Sequence, residues 1–324
     1  VSRDRTRLIA CALALFAGAS IAASPDNAPA RDALLALSCD DLRAADVRDV
    51  LARASAPRVL LVSGSLPLVT MDSFARFLAG MGYPDARLRD VRDGAYTQSG
   101  YQDSVRLAGV VAWHYEHDGM APLLIGHSRG GMLVVRTLHE LAGAFQDQLP
   151  VWDPVRDEPL SRTTIVDPYT HAARPVVGLT VGYAAAIATG RLPRLLLGQW
   201  AMLKRLRLIP DTVHAFTGFA IEGDLIAGEL FGHEPYVAQG TAHVRNVQLP
   251  ASTLHVDAVR VDHLVADPAI RAWIDDYRPG RVAEPPPGDP ANLLQAADVW
   301  YDVKAAWCRA AQYKARMQAP GGAG

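Results

Sequence analysis

The chain has 324 residues, half of them apolar, with 32 basic against 34 acidic side chains and a formal net charge of −2. That length and apolar fraction suit one large or two small folded domains and exclude a disordered chain. No block of like charge stands out, so no nucleic-acid partner is expected.

The first segment reads as a leader. Arg3, Arg5 and Arg7 precede an apolar run from Leu8 to about Ala19, and the small-residue stretch "ASIAASPDNAPA" follows. Positive flank, short apolar core and small-residue exit are the parts of a secretory signal peptide. A boundary after Ala22 makes residues 1–22 the signal peptide and 23–324 an exported, periplasmic or secreted, chain. The run falls short of the roughly 20 apolar residues that span a bilayer. Cleavage removes Cys11 and leaves Cys39 and Cys308. In an oxidising compartment two leftover thiols pair readily, and domain termini tend to lie close, so a Cys39–Cys308 disulfide is expected.

Residues 32–54 have the spacing of an amphipathic helix that Pro57 ends. "RVLLVSGSLP" (58–67) is a buried strand with a Gly/Pro exit, and "SFARFLAGMGY" (73–83) is helical. Residues 85–91 read as a short strand, 104–119 as a helix stopped by Gly119, 121–127 as a strand and 128–143 as a helix. Alternating strands and helices predict an α/β fold, with a mostly parallel central sheet and helices on both faces. The aliphatic strands agree, because parallel strands are buried on both sides.

Prolines then interrupt the rhythm. Within 145–212 the pattern predicts an excursion or cap, with a hairpin near "TIVDPYTHAARPV", a returning strand at 175–182 and a leucine-rich basic segment at 190–208. That segment reads as a core helix or as a lid touching a lipid interface. Strands follow at 213–224 and 253–264, and a helix at 267–277 begins with Asp267 as cap and Pro268 at its first position. "EPPPGDP" (284–290) is a linker, and 291–317 is a C-terminal helix that carries Cys308.

The most informative stretch is "LLIGHSRGGM" (123–132), a serine flanked at two residues on either side by glycine, between a strand and a helix. A strand entering a helix through so sharp a turn strains the central residue, and glycines remove the Cβ atoms that would collide. The serine hydroxyl then projects from the sheet edge over a helix N-terminus, where an oxyanion is favoured. On "GHSRGG" (126–131), "LLVSGSLP" (60–67) and the order of elements after them, the chain resembles the α/β-hydrolase superfamily over most of residues 57–277.

The resemblance implies an α/β-hydrolase fold and a Ser–acid–His order along the chain. Ser128 is the implied nucleophile. Asp224, closing a strand in "FAIEGD", is the implied acid, with Asp211 as its alternative. His263, at the end of the strand expected at 253–264, is the implied base, with His255 as second choice. His127 adjoins the serine and is expected to point away from the reaction. The backbone N–H groups of Arg129 and of Ser65, or of the neighbouring Leu66, are the implied oxyanion hole. Where many relatives carry His-Gly in that loop, this chain has Ser63-Gly64. His114, Glu116 and His117 sit at a helix end, where imidazoles complement the dipole, so no metal is expected. The expected activity is hydrolysis of carboxylic esters, small-molecule or lipid, through an acyl-serine and without a cofactor. The same apparatus serves acyltransferases and amidases, and the fold also hosts binding proteins without chemistry.

Overall fold

The computed structural model describes residues 28–190, 199–228, 234–281, 284–286 and 292–319. The leader expected at 1–22 lies outside them. Two short helices, α1 (Ala28–Leu35) and α2 (Ala44–Asp49), and a 3₁₀ turn at Leu51–Arg53 stand where one helix over 32–54 was expected. The chain then runs through β1 (Val59–Val62), α3 (Asp72–Gly80), β2 (Thr97–Gln98), α4 (Ser104–Asp118), β3 (Leu123–His127) and α5 (Arg129–Leu141). Two small antiparallel hairpins follow, β4 (Trp152–Asp153) with β5 (Glu158–Pro159) and β6 (Thr164–Val166) with β7 (Ala173–Pro175). The rest comprises β8 (Val181–Ile187), β9 (Leu208–Ile209), β10 (Val213–Ile221), β11 (Val237–Ala238), β12 (His243–Leu249), α6 (Pro268–Asp276) and α7 (Leu293–Met317).

Six strands form one parallel sheet in the order β12-β10-β8-β3-β1-β2. This is the α/β architecture that the alternating pattern predicts. Its two faces bury separate cores. Val59 and Leu61 of β1 and Ile125 of β3 join a core with Phe74 and Phe77 of α3 and Trp300 and Trp307 of α7. Leu60, Val62 and Leu124 point the other way, into a core with Leu107 and Val111 of α4 and Val134 and Leu138 of α5. Neighbouring residues on a strand thus serve opposite layers, so the run "VLLV" is apolar at every position. Each large side chain buried in this way contributes about 1.5–3 kcal/mol.

The helix signals hold where capping chemistry is explicit. Asp103 accepts from the Val105 N–H at the start of α4, and Gly119 ends that helix at φ 69° in the left-handed region. Asp267 accepts from the Ala269 and Ile270 N–H groups, with Pro268 in the first turn of α6.

Several boundaries differ from the expectation. Residues 85–91 form a 3₁₀ turn at Asp85–Arg87, and the sheet edge is Thr97–Gln98 instead. Pro175 closes the β6–β7 hairpin, so the returning strand begins only at Val181. Of the leucine-rich segment, 191–198 lie outside the described residues. The remainder is a 3₁₀ turn at Trp200–Met202 and the short strand β9, with Met202 and Leu206 buried in the α4–α5 core.

The largest correction concerns 253–264, which is loop and 3₁₀ turn. The last sheet strand is β12, "HVRNVQL", seven residues paired in register from Ala215↔His243 to Ile221↔Leu249. Its polar composition follows from its place. It is the sheet's outer strand, and most of its side chains are exposed or half-buried.

Cys39, between α1 and α2, forms a disulfide with Cys308 on α7, with Cα atoms 5.5 Å apart. Cys308 is wholly buried. Among the described residues no helix is long and apolar enough to cross a membrane.

Candidate active site

Ser128 joins β3 to α5 with φ 52° and ψ −116°, a backbone state that costs a non-glycine residue of the order of 1–3 kcal/mol. The glycines around it answer to close backbone contact. A Cβ on Gly126 would overlap the Gly130 carbonyl, and one on Gly130 would overlap the Val62 carbonyl. The turn is fastened to the next strand: the Ser128 N–H donates to the Ile187 carbonyl (2.8 Å), and Thr189 Oγ1 donates to the Ser128 carbonyl (2.9 Å). α5 begins at Arg129, so the first N–H groups of a helix, with its positive dipole end, lie directly after the serine. The strand order reverses between β1 and β3, and the crevice at the carboxyl ends of such a switch point is where open α/β sheets bind ligands.

The oxyanion loop expected after β1 packs on this turn. A Cβ on Gly64 would lie 3.0 Å from Ser128 Cβ and 3.1 Å from His127 Nδ1. The Ser65 carbonyl accepts from the Tyr101 hydroxyl (3.1 Å). The Arg129 side chain donates from Nε to the Gly100 carbonyl (2.8 Å) and stacks on the Tyr101 ring, 4.1 Å from its centroid. Tyr101 thus links the loop after β1, through the Ser65 carbonyl, to the Arg129 side chain at the start of α5. A small cavity of about 190 Å³ lies beside them, lined in part by Gly100, Tyr101, Arg129 and Arg136.

Asp224 follows the end of β10 by three residues. Its Oδ1 accepts from the Ala227 N–H (2.9 Å), and its Oδ2 accepts from His255 Nδ1 (2.7 Å). Both side chains are buried. Burial pushes the Asp224 carboxyl up, but the His255 hydrogen bond, the N–H groups of Ala227 and Ile226 and the nearby imidazole outweigh it, leaving the group below its ordinary value. Asp224 is thus an anion, and Nδ1 of His255 donates to it, which turns Nε2 away from the carboxylate. His255 sits on the loop after β12. From the α7 side, Asn292 donates to the Asp257 and Arg260 carbonyls and Gln295 to that of Ala258, which fixes this loop.

His127 completes the cluster. Its Nε2 lies 2.9 Å from the His255 carbonyl, and the two rings are 4.9 Å apart. A carbonyl only accepts, so Nε2 is the protonated nitrogen. Burial, reinforced by the adjacent His255 imidazole, pushes His127 down to about 4, so it is neutral near pH 7.

The structure thus brings Ser128, Asp224 and His255 to one sheet edge. Asp224 pairs with His255, not with His263. His263 is exposed, on the Asp262–Ala266 3₁₀ turn, and lines a separate cleft with Leu68, Arg76 and Val259. The physical reason is the strand register. Because the sheet ends with β12 at Leu249, the loop that follows it carries His255. Asp211 precedes β10 and accepts from the Thr241 and Ala242 N–H groups, at the strand's opposite end. His255 was the second choice for the base, and sequence reasoning expected His127 to point away, whereas its side chain turns inward toward His255. The signal for β12 was the alternation of Val247, Gln248 and Leu249, too short to stand out beside Arg245 and Asn246.

Among the described residues, Ser128 Oγ forms no hydrogen bond. It lies on the turn whose preceding residue, His127, holds the backbone of His255. Chemically the cluster offers a hydroxyl on a strained turn, an imidazole oriented by a buried carboxylate, and helix N-terminal N–H donors. No family model and no curated protein matches the chain.

Proposed function

We propose that this protein is a serine hydrolase of the α/β-hydrolase type that cleaves carboxylic esters through an acyl-serine. The observation that carries the proposal is the buried 2.7 Å contact of His255 Nδ1 with Asp224 Oδ2 at the sheet edge that also holds Ser128 in its strained turn. A serine hydroxyl stays protonated at neutral pH and is a weak nucleophile alone. As Ser128 Oγ attacks the ester carbonyl carbon, its proton passes to His255 Nε2, and Asp224 stabilises the imidazolium. The carbonyl oxygen takes up the negative charge, and the backbone N–H groups of Arg129 and Ser65 would receive it. Loss of one such donor costs about 3 kcal/mol of barrier stabilisation. Collapse breaks the ester C–O bond, and the departing alcohol takes the proton from Nε2. Water then repeats the sequence on the acyl-serine, releasing the carboxylic acid and restoring Ser128.

The substrate reading favours apolar acyl groups, in a small-molecule or lipid ester. Leu66 on the loop after β1, Leu225 and Ile226 beside Asp224, and Leu254 beside His255 are all exposed. Large apolar side chains left in water on the loops around a reactive group fit a substrate that covers them. The Cys39–Cys308 disulfide supports export through the leader at 1–22.

A fluorophosphonate probe tests the proposal. It should label Ser128 in the wild-type protein and leave Ser128→Ala unlabelled, and a chain-length series of nitrophenyl esters should lose its hydrolysis in the same variant. Hydrolysis that persists at the wild-type rate in Ser128→Ala would end the nucleophile assignment.

A further inference from the structure

We infer that His127 is a positioning residue, a clamp that ties the backbone of His255 to the turn bearing Ser128. The inference rests on the hydrolase reading above and goes beyond it, because that chemistry needs only the Asp224–His255 pair and the serine.

Three observations carry it. His127 is buried at 2% exposure, and the one hydrogen bond of its side chain among the described residues, from Nε2 at 2.9 Å, goes to the carbonyl of His255. Its other nitrogen, Nδ1, is buried without a partner among the described residues. A histidine that only filled the core would need neither nitrogen, and an orphaned one costs stability. Finally, His127 is the last residue of β3, covalently next to Ser128. His255 is therefore held at both ends: Asp224 holds its ring, and His127 holds its main chain. Nucleophile and base share one anchor, so displacement of the strand end moves both together. The charged and titratable groups facing His127 are His255 and Asp224, and a neutral His127 adds no positive charge against the imidazolium formed during catalysis.

The test compares His127→Phe, which keeps a planar ring but removes the donor, with His127→Gln, whose amide nitrogen can reach the same carbonyl. The expected result is a kcat for nitrophenyl ester hydrolysis reduced about tenfold in the Phe variant, with KM little changed, a parallel loss in the rate of phosphonylation of Ser128, and recovery of most of both in the Gln variant. A Phe variant with wild-type kcat, or a Gln variant as slow as Phe, overturns the clamp. Should the Phe variant fail to fold, the Gln variant and ¹⁵N NMR of the wild-type histidines decide. His127 is expected to be protonated at Nε2 and bare at Nδ1, and the reverse tautomer overturns the inference. Because the NMR readout needs no turnover, it separates the two readings: a wild-type protein that takes no probe and cleaves no ester overturns the hydrolase reading by itself.

Discussion

Two buried clusters of carboxylates and cationic or imidazole groups lie on β10 and its neighbours, and they behave in opposite ways. One is the Asp224–His255 pair just past the carboxyl ends of the strands. The other lies mid-strand, where Arg245 on β12 donates to Asp298 and Asp302 of α7, Thr217 on β10 donates to Asp302, and Tyr277 donates to Asp298. Thr217 and Arg245 are direct partners across the two strands. In this second cluster burial pushes Asp298 up to about 6 and Asp302 upward too, in spite of the guanidinium. Asp224 is equally hidden but ends up depressed, because its hydrogen-bond donors outweigh burial. Burial of charge therefore does not mark a reactive site. What sets the first cluster apart is its position past the strand ends, beside a serine in a strained turn.

The comparison can be broken or sharpened by experiment. The largest effect should come from Ser128→Ala or His255→Ala, each lowering kcat on the order of 10⁴-fold or more while leaving the melting temperature nearly unchanged. His263→Ala, by contrast, should keep nearly full activity, and a collapse of kcat there would return the base to that residue. Arg245→Met should do the reverse of the serine change. It strands two buried carboxylates and should cost about 3–5 kcal/mol in denaturant melts, with kcat per folded molecule preserved. Cys39→Ser with Cys308→Ser should cost about 2–4 kcal/mol, again without touching kcat.

A smaller effect separates the clusters by sign. Asp298 is raised, so its contribution is full below the unfolded carboxylate value near 4 and is lost as pH rises through about 6. The stability of Asp298→Asn relative to wild type should accordingly improve between pH 4 and 7, by up to about 3 kcal/mol. The site cluster runs the other way. Asp224 is depressed and His127 is depressed to about 4, so what they contribute is present at neutral pH and lost as pH falls through their folded values. A His127→Gln protein should therefore lose less stability than wild type between pH 6.5 and 4 in parallel melts.

What could be read from the sequence follows the same division. The strands β1, β3, β8 and β10 lie inside the sheet, and their apolar runs announce them, although β8 starts six residues later than its pattern suggested. Ser128 was legible because Gly126 and Gly130 are demanded by backbone contact, which leaves a spacing in the chain. Asp224 was legible because it closes a strand of clear pattern. His255 was legible only as the second choice, since its position depends on β12, an outer strand whose polar residues hide its period. Asp267 and Pro268 made the start of α6 conspicuous and drew the base to His263, a few residues ahead of that cap. The inward turn of His127 left no mark, because a residue adjacent to a nucleophile carries no spacing signal of its own.

The link between Cys39 and Cys308 spans 269 positions and encloses nearly every strand and helix described. A protease that nicks an exposed loop inside that span, such as the turn between β4 and β5, would not release a fragment. The cut molecule would migrate as one band on a non-reducing gel and as two after reduction. The pieces would also stay tethered while they reseated, giving the molecule tolerance to a single cut.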